Sequence, residues 1–293
     1  MPLTGKALRL ERLSRAGDGR YLFIPLDHSV SDGPIVSAAG FPGLVADIGA
    51  GGADAVVVHK GRARLIPPEL LRGTRLVVHL SASTAAAPDV DAKVLVGDVE
   101  ECVRLGADAV SVHVNIGSDT EAAQLGDLGT VAAECERWGM PLLAMVYPRG
   151  PRVADPTRPE LVAHAVTIAA DLGVDIVKTV LATPAERMAE VVASSPLPVI
   201  VAGGAGVGAA TKDGDAGDTT GVEAFARAAL AAGCAGLAVG RRVFTHPEPR
   251  QAVRKLAAIV HGPGRVPGSS SASSASSPDA SSSSSSPELA GAL

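Results

Sequence analysis

Short apolar runs alternate with longer stretches of helical period along most of the chain. Runs rich in Val, Ile and Leu occupy residues 21–26, 55–58, 75–80, 109–114, 141–146, 175–179, 198–202 and 236–239. They are continuous rather than alternating, the pattern of parallel strands covered on both faces. Between them apolar positions recur at helical spacing over 99–105, 121–137, 159–172, 184–194, 221–232 and 249–260. Several strands are announced by a glycine and a small or acidic residue: Gly52-Ala-Asp54, Gly106-Ala-Asp108, Gly173-Val-Asp175 and Gly233-Cys-Ala235. A glycine there suits a left-handed helix cap followed by a short turn. Eight strands in βα alternation predict an α/β fold, a (β/α)8 TIM barrel rather than an open doubly wound sheet. The third unit is the weakest, because 85–96 is Ala-rich and shows neither period. No sequence repeat is evident beyond the βα rhythm.

Composition changes this picture at the C-terminus. Residues 1–267 read as one barrel domain, whereas 268–293 is mostly Ser with Ala and Pro and lacks aromatic residues. Such a segment cannot bury enough surface to offset its ordering entropy, so disorder is expected there. Elsewhere 46% of the residues are hydrophobic but only 2% are aromatic, and the formal net charge is −5. Few stacking surfaces and a negative balance argue against nucleic acid as a partner. Cys102, Cys135 and Cys234 are odd in number and widely spaced, without Cys-x-x-Cys. They are expected to be small hydrophobes of a reduced compartment, neither disulfides nor zinc ligands. No stretch approaches the ~18 apolar residues of a membrane span, and residues 1–20 hold no signal-peptide core. A cytoplasmic protein without membrane partners is expected.

Barrels of this kind carry their chemistry at the C-terminal ends of the strands. Those ends hold Asp27 and His28, His59 and Lys60, His79, His113 and Asn115, and Tyr147 and Arg149. Lys178, Gly203 and Gly204, and Gly240 and Arg241 complete the set. Lys178 lies in the otherwise apolar Asp175-Ile-Val-Lys-Thr179, where burial disfavours the ammonium and favours the amine that attacks a ketone. A solvent-facing or acid-paired lysine is the alternative. Tyr147 offers a phenol for proton transfer beside such an amine, or simply an aromatic lid on the barrel. Asp27 can orient the lysine and accept a proton, or serve as a cap or ion-pair partner. Gly203-Gly204 and Gly240-Arg241 stand after the seventh and eighth strands, where barrels bind phosphate, although either pair alone could be a tight turn.

Other patterns carry less. Gly204-Ala-Gly-Val-Gly-Ala209 matches a dinucleotide fingerprint, but it follows a late strand and precedes a loop. The acids of 211–218 miss calcium-loop spacing. His28, His59, His79 and His113 could line one cavity and support a divalent-metal enzyme, yet no His-x-His or His-Glu-x-x-His occurs. No metal and no cofactor are therefore expected.

The motifs Leu26-Asp-His-Ser-Val-Ser-Asp-Gly-Pro34, Val58-His-Lys-Gly61, Met145-Val-Tyr-Pro-Arg-Gly150, Asp175-Ile-Val-Lys-Thr179, Val201-Ala-Gly-Gly204 and Val239-Gly-Arg241, with 106–119, resemble the archaeal-type class I aldolase family. The resemblance runs from Leu8 to His261. It is strongest to the branch that joins dihydroxyacetone phosphate, or a related ketose phosphate, to aspartate semialdehyde, giving an amino-deoxy-heptulosonate. It implies Lys178 as the Schiff-base residue, Tyr147 as proton donor and Asp27 as proton acceptor. It further implies that His28, Ser29, Ser31, Arg149, Gly203, Gly204, Gly240 and Arg241 hold the phosphorylated ketose. A metal-free homo-oligomer is implied as well. Arg149 is also a candidate partner for an acceptor carboxylate. Fructose-bisphosphate cleavage is the runner-up and needs a second phosphate pocket; a barrel that binds phosphate without catalysis is a further alternative. Where the family usually has Gly-Gly-Pro-Lys, this chain has Gly203-Gly-Ala-Gly206, and Lys212 or backbone alone could substitute for the missing lysine in that loop.

Overall fold

The computed structural model describes residues 5–203 and 220–262, so Gly204, Lys212 and the 268–293 tail lie outside the described residues. Eight parallel strands close into a barrel in which each pairs with its neighbours in the sequence. They are β1 (Tyr21–Pro25), β2 (Ala55–Val58), β3 (Arg75–His79), β4 (Ala109–Ile116), β5 (Leu142–Pro148), β6 (Ile176–Thr179), β7 (Val199–Ala202) and β8 (Gly236–Ala238). The ring closes through Tyr21↔Gly236. Strands β4 and β5 extend past the expected 114 and 146, because their pairing continues to Ile116↔Pro148.

Helices α1 (Gly5–Leu13), α2 (Ser29–Asp32), α3 (Phe41–Gly51), α4 (Lys60–Ala63), α5 (Val99–Arg104) and α6 (Glu121–Trp138) occupy the first half. The second half holds α7 (Pro159–Asp171), α8 (Met188–Ala193), α9 (Thr220–Ala231), α10 (Arg241–Phe244) and α11 (Pro249–His261). Among the described residues no helix is long and apolar enough to cross a membrane. The three cysteines are buried and unpaired, as small hydrophobes should be.

The strands bury both faces, and alternation sorts the faces. Leu22, Ile24, Val56, Val78, Val110 and Val177 point outward into the layer beneath the helices. Phe23, Val57, Val77, Met145, Ile176 and Ile200 point inward, and Leu13 of α1 packs among them. The same two-residue step carries the inward face upward to Asp27, His59, His79, His113, Tyr147 and Lys178.

The glycine signals have a common geometry. Gly52, Gly106, Gly173 and Gly233 all have positive φ, so each ends its helix in the left-handed conformation. The acid two residues on then latches the preceding strand. Asp54 accepts from the Leu22 amide at 2.6 Å, Asp108 from Leu76 at 3.0 Å, and Asp175 from Leu142 at 2.8 Å. In each case the acid's own amide donates back to that leucine's carbonyl. These reciprocal pairs set the register at the N-terminal rim of three strand pairs and satisfy groups the barrel would otherwise leave open. At the fourth position Ala235 lacks the carboxylate and keeps only its amide bond, to Val199 O at 2.8 Å.

The ambiguous 85–96 belongs to no helix. Ser81–Ala82 pairs antiparallel with Val94–Leu95 in a short ribbon whose connecting loop lies over the barrel mouth.

Candidate active site

A cavity of about 420 Å³ opens at the C-terminal ends of the strands and is lined by Asp27, His59, His79, His113, Met145 and Lys178, among others. Lys178 is 7% exposed. Strand register sets Met145 beside Lys178 and His113 beside Met145. Among the described residues the Lys178 amine donates only to Met145 Sδ at 3.7 Å, a soft and weak acceptor. Among the described residues it forms no ion pair with a carboxylate, so the acid-paired alternative for this lysine does not hold there.

Asp27 ends the inward face of β1. Its Oδ2 lies 3.8 Å from His79 Nε2, and its Oδ1 lies 3.4 Å from His28 Nδ1. Burial pushes its carboxyl up, but His79, Lys178, His28 and His59 together bring it below the ordinary carboxylate value. The imidazoles go the same way for the opposite reason, since burial disfavours their charged form. His79 falls to about 4, His113 falls well below its ordinary value, and His28 and His59 are lowered. At neutral pH this is one carboxylate among neutral imidazoles. His59 Nδ1 donates to His79 O at 3.1 Å, His79 Nδ1 shares a 2.8 Å bond with Ser111 Oγ, and His113 Nε2 donates to Asn115 Oδ1 at 2.9 Å. Among the described residues no group of three or more His, Cys, Asp or Glu is arranged to hold a metal.

Tyr147 stands one inward step above Met145 on β5. Its ring packs edge-on against His113 at 5.0 Å, and the Arg149 guanidinium sits 5.3 Å from the ring centroid. It lines an adjoining cavity that shares His28, Asp91, Arg149 and Arg241 with the first. Tyr147 therefore lines the neighbouring cavity and not the one that Lys178 lines.

The remaining expected residues divide. Ser31 lines the cavity and donates its hydroxyl to His28 O at 3.0 Å; Ser29, which opens α2, does not line it. Gly203 spends its amide on Ala238 O at 3.0 Å, so that N–H cannot serve a phosphate. What Gly203 supplies is space, since a Cβ there would sit 2.7 Å from Val239. Gly240 supplies space too: a Cβ would lie 2.6 Å from both Pro25 O and the His28 ring. Arg241 faces the mouth but pairs with Asp32 at 2.5 Å. Lys60 turns away to Glu101 at 2.8 Å, and Asn115 is buried in a hydrogen-bond network.

Sequence reasoning missed Asp91 and Lys93. Both line the cavity from the segment that showed no period. A lysine opening the otherwise apolar Lys93-Val-Leu-Val96 was the available signal.

Residues 21–246 match the DeoC/LacD family aldolases. A 2-amino-4,5-dihydroxy-6-oxo-7-(phosphonooxy)heptanoate synthase from Streptomyces griseus is 46% identical over 275 residues, covering 92% of this chain and 97% of the relative. A 2-amino-3,7-dideoxy-D-threo-hept-6-ulosonate synthase from Halobacterium salinarum is 40% identical over 258 residues, covering 88% and 92%. Among solved structures, an archaeal fructose 1,6-bisphosphate aldolase superposes with a TM-score of 0.76 at 26% identity, covering 88% of this chain and 99% of that one. Another, with its catalytic Lys covalently bound to the carbinolamine intermediate of the substrate, gives 0.75 at 26% identity, covering 88% and 100%.

Proposed function

The chain belongs to the DeoC/LacD family of aldolases, and from that premise we propose that it joins a ketose phosphate to an amino-acid aldehyde through a Schiff base on Lys178. The product named for the Streptomyces relative carries a ketone at carbon 6, a phosphate at carbon 7 and a hydroxyl at carbon 4. Aldol chemistry divides such a molecule between carbons 4 and 5, into dihydroxyacetone phosphate and aspartate semialdehyde. The Lys178 amine adds to the donor ketone, and loss of water leaves an iminium. Removal of a proton from the adjacent carbon gives an enamine; with a deoxy-ketohexose phosphate as donor, carbon–carbon cleavage gives it instead. The enamine attacks the aldehyde carbon, the new alkoxide takes a proton, and water releases the product and the amine. Asp27 suits the accepting role, being ionised and close to the amine, and Tyr147 suits the donating role from above.

Arg241, with the backbone at Gly240, is the described part of a donor-phosphate site; Gly203 shapes it, and Gly204 belongs to the same reading. Arg241 must exchange Asp32 for the phosphate, whereas His28 and Ser31 border the site. Residues 1–267 act as the aldolase domain of a cytoplasmic homo-oligomer in this reading. The likeness to fructose-bisphosphate aldolases at 26% identity keeps their reaction as a second reading, and relatives at 46% and 40% identity favour the first.

The observation that carries the proposal is Lys178, buried on the inward face of β6 at the cavity with no carboxylate of the described residues tying down its amine. Reduction with borohydride in the presence of dihydroxyacetone phosphate should leave a covalent adduct on Lys178, read by peptide mass spectrometry. Lys178→Ala should remove the adduct and lower turnover by about a thousandfold or more. An adduct that persists in Lys178→Ala overturns the assignment.

A further inference from the structure

The mouth of the barrel has two cationic walls. Gly240 and Arg241 follow β8, next to β1. On the opposite side of the ring, Arg149 follows β5 while the ribbon after β3 supplies Lys93. Lys93 donates to Ser83 Oγ and to Val90 O at 3.0 Å. Burial and then the Arg149 charge push its pKa down, against the pull of Asp91, Asp89 and Asp27. Among the described residues neither Lys93 nor Arg149 forms an ion pair. A half-buried and an exposed cation, neither in a direct ion pair among the described residues, make a receptor for an anion.

Beside them stands Asp91, and its backbone is held with unusual care. Its carbonyl accepts from Asn115 Nδ2 at 2.8 Å and from Gln124 Nε2 at 2.9 Å, and those two side chains are 0% and 1% exposed. Its amide donates to Asp89 Oδ1 at 2.9 Å. Two buried amides thus fix where the Asp91 carboxylate enters the mouth, and among the described residues that carboxylate has no ion-pair or hydrogen-bond partner. A carboxylate that shares a cavity wall with two cations is a poor host for a second phosphate dianion. It is a good host for a group bearing one negative and one positive charge.

We propose that Asp91, Lys93 and Arg149 form the head-group site for the acceptor, with Lys93 and Arg149 taking a carboxylate and Asp91 taking the α-ammonium beside it. The site selects an aldehyde with a free amino-acid head over a phosphorylated aldehyde, and it rests on the Schiff-base reading above.

The test compares acceptors by the ratio of kcat/KM on one preparation, so that any misfolded fraction cancels. Aspartate semialdehyde carries both charges, succinate semialdehyde lacks the amine, and 3-aminopropanal lacks the carboxylate. The wild-type chain should favour the first over each of the others by about tenfold or more. Asp91→Asn should collapse the preference over succinate semialdehyde and spare the other. Lys93→Met should collapse the preference over 3-aminopropanal and spare the first. Ratios within about twofold of wild type in both variants would overturn the head-group site while the aldolase reading stands. Absence of a borohydride adduct in the wild-type chain would instead remove the aldolase reading, and this site with it.

Discussion

At the scale of single residues, the histidines that line the cavity carry no charge at neutral pH. Burial holds His28, His59, His79 and His113 below the ordinary imidazole value, His79 at about 4, while the charges that His79, His28 and His59 take up in acid, together with Lys178, hold the Asp27 carboxyl low. They are built to donate and accept hydrogen bonds at neutral pH and not to switch charge there. His261 lies outside this group, and burial lowers its pKa less than Asp54 and Asp18 raise it. An NMR titration should therefore split the histidines, with those four changing charge below pH 6.5 and His261 above it. Any of the four with a midpoint above 6.5 contradicts this account of the site.

At the scale of elements, two devices hold the chemistry in place. The latches of Asp54, Asp108 and Asp175 fix strand register at the bottom, so that the two-residue step lifts the right side chains to the mouth. At the top, β8 passes so close to the end of β1 that only glycine fits at 240. Gly240→Ala places a methyl group against a backbone carbonyl, which cannot yield as a flexible side chain would. It should cost about 2 kcal/mol in denaturant unfolding and raise the dihydroxyacetone phosphate concentration needed for half-maximal trapping. Wild-type values for both would show that the β1–β8 contact relaxes freely. The ribbon is the element that sequence pattern could not supply. Asp91 is placed by Asn115 and Gln124, which lie 24 and 33 residues away, and no local period records such partners.

At the scale of the whole molecule, the N-terminal rim is closed by a buried clamp. His261, the last residue of α11, bonds Asp18 through Nδ1 at 3.0 Å and Asp54 through Nε2 at 3.1 Å. Asp54 is the same acid that latches β1, so the end of the described helical layer is tied to the start of the barrel. The signs of the shifts define a pH window. A raised His261 pKa stabilises the fold fully below about 6.5, its unfolded value, and that stability is lost as pH rises through the folded value. For Asp18, burial raises the pKa, but His261 and the Arg20 amide outweigh it and leave the pKa lowered. Its contribution holds above its unfolded value and fades as pH falls through the folded one. His261→Ala should cost about 2 kcal/mol at pH 5.5 and distinctly less at pH 8.5, measured by denaturant unfolding at both. An equal loss at the two values would mean that packing, not charge, makes the clamp.

Local chemistry determined much of this protein. Continuous apolar runs, helical spacing and left-handed glycines are short-range properties, and they specified eight βα units and the end of the barrel at which Lys178, Tyr147 and Asp27 stand. Tertiary structure decided which of those residues share a cavity and what each touches. It set Lys178 against Met145 instead of an acid, moved Tyr147 into the adjoining cavity, and took Gly203's amide for the barrel ladder. It also brought Asp91 and Lys93 over the mouth from a segment without pattern. The physical reason is closure. Side-chain period is encoded over a few residues, whereas partners across a closed ring come from strands far apart in the chain.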